Sequence, residues 1–141
     1  MSAVYATGVQ IRWSDQDLFG HVNNARVVTL LEDARIRFLT QVAPADGYPE
    51  FPTPKLVASQ TINYRRPVHY GSDLLVDISV VRIGTKSYTL SYVARQNGHT
   101  VVDASTIMVP LSEEGGLPRG LTNPERIYLA RFQDEAIPVG A

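Results

Sequence analysis

Apolar and polar positions alternate with two different periods along this chain, and the change of period divides it into elements. Between about Asn23 and Val42 the period is that of an amphipathic helix, with apolar residues three or four positions apart, namely Val27, Leu31, Ala34, Phe38 and Val42. No glycine or proline interrupts this stretch. The pattern predicts one long helix that buries a single stripe.

Further along the chain the period falls to two, which is typical of β-strands with one buried face. Residues 56–66 show this alternation weakly, whereas three later runs show it clearly, at 74–80, 88–94 and 102–108. Residues 4–13 predict one earlier strand, interrupted by a glycine. The chain therefore predicts five strands, with one strand before the helix and four after it.

The connections between these elements carry strong turn signals. Asn97-Gly98 predicts a tight hairpin, and Gly84-Thr85-Lys86 predicts another. Residues 43–54 contain four prolines and one glycine and predict a loop. Because short turns join antiparallel neighbours, we expect the four later strands to lie side by side in an α+β fold, a five-stranded antiparallel sheet packed on one helix.

The chain is expected to form one domain over residues 1–141, with a core at about 4–111 and a C-terminal extension at about 112–141. In the extension, Asn123 is the predicted N-cap of a short helix over about 124–134, with Pro124 at its first position. The sequence leaves open whether this helix covers a sheet edge or contacts a partner.

Composition narrows the possible functions. A formal net charge of -1 gives no basic field for nucleic acid, and the absence of cysteine excludes disulfides, a cysteine nucleophile and thiolate metal sites. No stretch predicts a signal peptide or a membrane span, so we expect a cytoplasmic protein. His21, His69 and His99 lack metal-ligand spacing, and neither a metal nor another cofactor is expected.

The densest polar segment, Arg12 to Asn24, connects the first strand to the predicted helix. The first turn of a helix has unpaired N–H groups and a partial positive charge, which stabilise a carboxylate or a developing oxyanion. A carboxylate beside such N–H groups is sufficient for ester or thioester hydrolysis. The alternative is structural, because Asp, Ser and Asn commonly cap helices and form turns.

The same segment resembles the signature of the 4-hydroxybenzoyl-CoA thioesterase-like proteins of the hotdog superfamily. The matching residues are Asp15, Asp17, His21, Val22, Asn23, Asn24, Glu32, Ala34 and Arg35, with weaker similarity through Tyr64-Arg65-Arg66-Pro67 to about Val109. The resemblance implies a hotdog fold, in which the sheet wraps around the central helix, and a thioester hydrolase.

The resemblance also implies roles for individual residues. Asp17 matches the catalytic aspartate, which acts as nucleophile or as base for water, and the N–H at about Asn24 matches the group that polarises the thioester carbonyl. His21 and the Asn24 side chain match polar positions used in some branches. Asp15 is expected to be a turn or cap residue, and Glu32 to pair with Arg35 or a neighbour.

For CoA phosphates, the cationic and N–H candidates are Arg65 and Arg66 together with the turn Gly84, Thr85, Lys86 and Ser87. The alternative is that these loop residues are simply solvated. The resemblance further implies a homodimer or homotetramer, with the active site between subunits.

The expected function is hydrolysis of an acyl- or aroyl-CoA, in keeping with a place in fatty acid metabolism. Three alternatives remain: an acyl-carrier-protein thioesterase, a non-catalytic acyl-CoA or lipid-binding protein, and a hotdog dehydratase that pairs a histidine with a carboxylate. A carboxylate at Asp17 disfavours the pure binding protein, and the surrounding motif fits thioesterases better than dehydratases.

Overall fold

The computed structural model of the protein describes residues 4–48, 54–114 and 116–133. Its elements in chain order are strand β1 (Tyr5–Val9), a 3-10 turn (Trp13–Asp15), helix α1 (Asn24–Arg37), a π-helical segment (Phe38–Val42), helix α2 (Ala43–Ala45), strands β2 (Lys55–Tyr64), β3 (Leu74–Ile83), β4 (Tyr88–Gln96) and β5 (His99–Pro110), and helix α3 (Asn123–Ala130). The five strands and the long helical segment confirm the predicted α+β fold.

The three helical pieces between Asn24 and Ala45 follow one another directly and form the central helix. Its predicted apolar stripe is buried at every position except the half-buried Val42. Burial of each large apolar side chain stabilises the folded state by about 1.5–3 kcal/mol. The helix widens at Phe38, whose carbonyl oxygen accepts a hydrogen bond from the Tyr128 hydroxyl. The predicted loop begins three residues later than expected, because Pro44 lies in the first turn of α2, where a proline is tolerated.

All strand pairs of the sheet are antiparallel, in the order β1-β3-β4-β5-β2. The β4–β5 hairpin turns at Asn97 and Gly98, whose φ angles of 53° and 80° are both positive, as a tight hairpin of this kind requires. The inward side chains of β3 (Leu74, Val76, Ile78 and Val80) are fully buried against the central helix.

One expected pairing is wrong. Strands β2 and β3 are consecutive in the chain but not neighbours, since β2 pairs with β5 at the far edge of the sheet. Residues 65–73 carry the chain from the edge strand β2 across the sheet to β3, which lies next to the opposite edge strand β1, and this length suits a crossover better than a hairpin. This crossover loop becomes one wall of the candidate site.

Strand β1 is shorter than predicted and ends at Val9. Ile11 is still buried, but the backbone N–H of Arg12 donates to a carboxylate oxygen of Asp15 at 2.9 Å, which closes the 3-10 turn. The polar side chain of Asp15 therefore ends the extended run that the sequence pattern continues to residue 13.

Helix α3 begins at Asn123, so its cap is Thr122 and not Asn123 as predicted. The backbone N–H of Glu125 donates to the Thr122 hydroxyl, and a Glu125 carboxylate oxygen accepts from the N–H of Thr122, a reciprocal capping box. The end predicted near residue 134 lies outside the described residues. After α3, the N–H of Val80 donates to the carbonyl oxygen of Phe132, so the C-terminal segment covers the edge of β3 beyond β1.

Within the part of the chain that the structure describes, no helix has both the length and the apolar character that crossing a membrane requires.

Candidate active site

The polar segment predicted to carry the chemistry forms a tight turn just before the central helix. The N–H of Asp17 donates to the carbonyl oxygen of His21 at 2.8 Å, and the N–H of Gly20 donates back to Asp17 at 3.2 Å. Gly20 adopts a φ of 77°, which favours glycine at this position. The turn brings Asp17 and His21 to the N-terminus of α1.

The two carboxylate oxygens of Asp17 have different surroundings. Oδ1 accepts the N–H of Phe19 at 2.8 Å and, more weakly, that of His21 at 3.4 Å. The other oxygen accepts no hydrogen bond from any described residue, and the side chain is half-buried. The turn-forming interpretation is therefore right for one oxygen, while the second oxygen is left open to a substrate or to water.

The first turn of α1 leaves one backbone donor unpaired. The Asn23 side chain caps the helix by accepting the N–H of Ala25 at 2.8 Å. The backbone carbonyl oxygen of Asn23 accepts the N–H groups of Arg26 and Val27. The N–H of Asn24 has no acceptor among the described residues. It lies where the helix dipole adds positive potential, so it is suited to bind a negatively charged oxygen.

Asp17, His21 and Asn24 come together in one open pocket of about 270 Å³. Its lining residues are Asp17, His21, Val22, Asn24, Val27, Tyr64, Arg65, Arg66, Pro67 and Val68. The floor at Val27 is apolar, while the walls carry a carboxylate, an imidazole and two guanidinium groups. This combination suits a ligand with an apolar part and an anionic part.

The crossover loop and the end of β2 are hydrogen-bonded to the Arg12–Asn24 segment. The N–H of Val22 donates to the carbonyl oxygen of Val68 at 2.7 Å, and the hydroxyl of Tyr64 donates to the carbonyl oxygen of Asn24 at 3.1 Å. Periodicity gave no signal for Tyr64 or Val68 as site residues. Tyr64 leaves a trace in the sequence only through the Tyr64–Pro67 similarity to the resembling family, and Val68 is not among the matching residues.

The two arginines of the crossover loop differ in their partners. Arg65 binds Asp103 at 2.7 Å, and this hydrogen bond, with one from Asn63, holds the pKa of the Asp103 carboxyl below its usual value. The backbone N–H of Arg66 donates to the carbonyl oxygen of Val101 at 3.1 Å, but its guanidinium makes no hydrogen bond or ion pair with any residue that the structure describes. Arg66 is therefore the guanidinium that remains available to an anion.

The Gly84–Ser87 turn lies at the opposite end of the sheet. The carbonyl oxygens of Gly84 and Thr85 accept hydrogen bonds from Arg126, and Thr85 also accepts the N–H of Leu121. Within one chain the turn does not reach the Asp17 pocket. A role for Thr85, Lys86 or Ser87 in substrate binding stays a prediction that requires a second chain.

Asp15 and Glu32 have the structural roles expected of them. Asp15 closes the 3-10 turn through Arg12, as described above, and Glu32 pairs with Arg35 at 3.5 Å. Arg35 itself is buried and reaches the hydroxyl of Tyr92 at 3.4 Å. These groups stabilise the fold around the site.

Two of the three histidines, which are far apart in the sequence, meet in the structure. The rings of His21 and His69 pack edge to face, with 5.1 Å between centroids, while His99 lies in the β4–β5 hairpin. Among the described residues, no three His, Asp or Glu side chains are grouped so that they could share a metal ion.

Comparison with known proteins places this chain in a family. Residues 11–132 match the thioesterase-like superfamily. The long-chain acyl-CoA thioesterase FadM of Escherichia coli (strain K12) is 31% identical over 100 residues, which cover 70% of this chain and 76% of that protein.

Two solved structures extend the similarity to three dimensions. A thioesterase from Thermus thermophilus, solved with coenzyme A and Zn, is 28% identical with a TM-score of 0.74, covering 95% of this chain and 96% of that one. A predicted thioesterase from Bacillus stearothermophilus has the same fold, with a TM-score of 0.81 at 23% identity and coverage of 94% and 98%. Because one family model matches residues 11–132, the chain belongs to the thioesterase-like superfamily, has its hotdog fold, and is a thioester hydrolase.

Proposed function

We propose that this enzyme hydrolyses an acyl- or aroyl-CoA to the free acid and CoA in the pocket between α1 and the crossover loop. The observation that carries the proposal is that two groups without a hydrogen-bond partner among the described residues belong to the residues lining one pocket. They are one carboxylate oxygen of Asp17 and the N–H of Asn24. The first is a nucleophile or base, and the second is an oxyanion donor. Hydrolysis of a thioester needs both.

In the base-catalysed route, the thioester carbonyl oxygen accepts the N–H of Asn24 and the free oxygen of Asp17 takes a proton from water. The resulting hydroxide attacks the carbonyl carbon, and negative charge develops on the oxygen at the helix N-terminus. The intermediate collapses with cleavage of the C–S bond, and the proton held by Asp17 passes to the departing thiolate. A thiol has an ordinary pKa of about 8.5, so its thiolate leaves without a strong acid.

In the nucleophilic route, the Asp17 oxygen attacks the carbonyl carbon and expels the CoA thiolate. Water then hydrolyses the acyl–enzyme anhydride and restores the carboxylate. Both routes use the same two groups and give the same products. The local hydrogen bonds to Oδ1 hold the carboxylate in one orientation for either step.

The remaining pocket residues fit the other parts of an acyl-CoA. The imidazole of His21 lies beside Asp17 and can donate a hydrogen bond to the thioester or to the attacking water. Arg66 is suited to a CoA phosphate, because its guanidinium is unpaired within the described chain. The Escherichia coli relative is a long-chain acyl-CoA thioesterase, and the Thermus thermophilus thioesterase was solved with coenzyme A, so both support CoA as the carrier.

We further propose that the working enzyme is at least a dimer joined through strand β2. No residue of this edge strand is buried, and Leu56 and Tyr64 are 50% and 43% exposed. An edge strand with exposed apolar side chains tends to pair with another chain. Light scattering after size exclusion should give a mass of at least two chains at micromolar concentration, whereas a monomer would contradict the pairing.

The decisive experiment compares Asp17→Asn with Asp15→Asn. Asparagine at position 17 keeps an oxygen for the turn but replaces the free oxygen with an amide nitrogen, so kcat should fall by about 10²–10⁴-fold with the melting temperature nearly unchanged. The Asp15 variant is the matched control, because its carboxylate closes a turn two residues away, and it should retain turnover. Activity is measured as thiol release from short, medium, long and aromatic acyl-CoAs.

Each outcome separates one alternative. Near wild-type turnover of Asp17→Asn would end the catalytic assignment of Asp17. Absence of thiol release from every acyl-CoA, with release from an acyl-carrier-protein thioester, would make the carrier protein the donor. Tight binding of acyl-CoA with no release from either donor would favour the binding protein.

A further inference from the structure

A buried glutamine at the end of β4 binds the backbone of the crossover loop. Gln96 is only 3% exposed, and its side-chain amide makes three hydrogen bonds, all to the backbone of this loop. Its oxygen accepts the N–H of His69 at 2.9 Å, and its nitrogen donates to the carbonyl oxygens of His69 at 2.7 Å and Ser72 at 3.0 Å. Both backbone groups of His69 are thus bound by one side chain that the buried environment keeps in place.

The side chain of His69, whose backbone Gln96 binds, contacts the Arg12–Asn24 segment. It packs edge to face against the ring of His21, with the centroids 5.1 Å apart and the planes at 82°, which is a favoured geometry for two aromatic rings. Immediately beside this contact, the N–H of Val22 donates to the carbonyl oxygen of Val68 at 2.7 Å. The loop and the Arg12–Asn24 segment are therefore joined at adjacent residues by a backbone hydrogen bond and by the two rings.

Only one of the two imidazoles lines the pocket. His21 is half-buried and belongs to the lining, whereas His69 is exposed and does not. The backbone of His21 is fixed by the turn with Asp17, but its ring can still rotate about two side-chain bonds. A neighbouring ring held at 5.1 Å removes part of that freedom, and a fixed imidazole loses less entropy when it meets the reacting thioester.

We propose that His69, held by Gln96, is a positioning residue that orients the imidazole of His21 toward the thioester. The inference rests on the proposed function for the role of His21 and adds two residues to it. His69 acts through His21 without contacting substrate. It should therefore affect the chemical step more than the binding of the acyl-CoA.

The first test uses His69→Ala, with His69→Phe as the conservative variant and His99→Ala as the matched control. His69→Ala should lower kcat about three- to tenfold with KM nearly unchanged, the size expected for loss of one ring pair. Phenylalanine restores the packing and should recover most of kcat. His99 is exposed in the β4–β5 hairpin, and its loss should leave turnover unchanged.

A second readout does not depend on turnover. The chain has three histidines, so its proton spectrum contains three assignable imidazole Hε1 signals. His69→Ala should shift the His21 signal, and His99→Ala should not. Gln96→Glu keeps the side-chain shape but removes both donated hydrogen bonds, so it should also shift the His21 signal and lower kcat. If Gln96→Glu does not fold, the two variants of the exposed His69 still decide the question.

A double-mutant cycle completes the test. If His69 acts through His21, His69→Ala should cost little in a His21→Ala background. Wild-type kcat and an unmoved His21 signal in His69→Ala would overturn the inference and leave the proposed function intact. Absence of thioester hydrolysis by the wild-type enzyme would instead overturn the proposed function, and the ring signals would still show whether His69 orients His21.

Discussion

At the end of the sheet where α1 begins, polar groups line a pocket and remain unpaired within the described chain, among them an oxygen of Asp17 and the guanidinium of Arg66. At the opposite end, several polar groups are bound by other residues of the same chain. The Gly84–Ser87 turn accepts hydrogen bonds from Arg126, and Arg119 forms two hydrogen bonds of 2.9 Å with Glu125.

Both ends offer glycines, cations and backbone N–H groups, and from the sequence both are candidates for binding phosphate. The two ends differ in how far other parts of the chain already bind their polar groups. The paired end contributes to stability, and the unpaired end is available for a ligand. Substitutions at the two ends should therefore separate stability from turnover.

The largest effect on stability is expected at the paired end. Arg119→Met should leave the Glu125 carboxylate, whose side chain is 8% exposed, without its counter-charge. The free energy of unfolding should fall by about 3 kcal/mol, while kcat per folded molecule stays at the wild-type value. Urea unfolding and the thioesterase assay measure the two. A large fall in kcat per folded molecule would contradict the assignment of stability to this end and of turnover to the other.

The same pair predicts a pH dependence. Burial raises the pKa of the Glu125 carboxyl, but hydrogen bonds from Arg119 and Thr122 outweigh it and hold the pKa below its ordinary value. A lowered pKa in the folded state adds stability above the ordinary glutamate pKa of about 4.3, which is lost as the pH falls through the folded value. The stability difference between wild type and Arg119→Met should therefore narrow below about pH 4.

A smaller effect is expected for Arg66→Ala at the unpaired end. KM for acyl-CoA should rise about five- to tenfold with kcat unchanged, because a phosphate contact far from the thioester stabilises ground and transition states alike. The rise should shrink with added salt. Arg65→Ala is the matched control, since Arg65 is committed to Asp103, and it should change KM less.

Lys86→Ala tests whether the paired end joins the site in an assembly. An increase in KM that appears only at protein concentrations where the enzyme is oligomeric would indicate that Lys86 of one chain contacts a phosphate bound at the site of another. An unchanged KM at every protein concentration would return Lys86 to the solvated surface.

The smallest effect is expected for Tyr64→Phe. The variant keeps the ring in the pocket wall but loses the hydroxyl that donates to the carbonyl oxygen of Asn24. A slightly looser helix start should lower kcat about threefold with little change in KM, in keeping with a net hydrogen-bond contribution of about 0.5–1 kcal/mol. Steady-state kinetics with the best acyl-CoA substrate measures it, and an unchanged kcat would show that the cap of α1 needs no support from β2.

Much of this fold follows from residues that are close in sequence. The helical stripe from Val27 to Phe38 and the Asn97-Gly98 hairpin depend on periodicity and turn chemistry, which neighbouring residues encode. The α3 cap shows the limit of such local signals. Thr122 and Asn123 are both good caps, and the reciprocal bonds with Glu125 select the first.

Which distant segments meet is determined at the level of the tertiary structure. Strand β2 is exposed on both faces, so its pattern contained no sign that it would pair with β5 and that the chain would then cross the sheet to β3. That crossing brings Tyr64, Arg66 and Val68 to the turn at Asp17, and it allows Gln96 to hold His69. Long-range pairing is fixed by closure of the whole sheet and by burial of its polar groups, for which no run of neighbouring residues provides a signal.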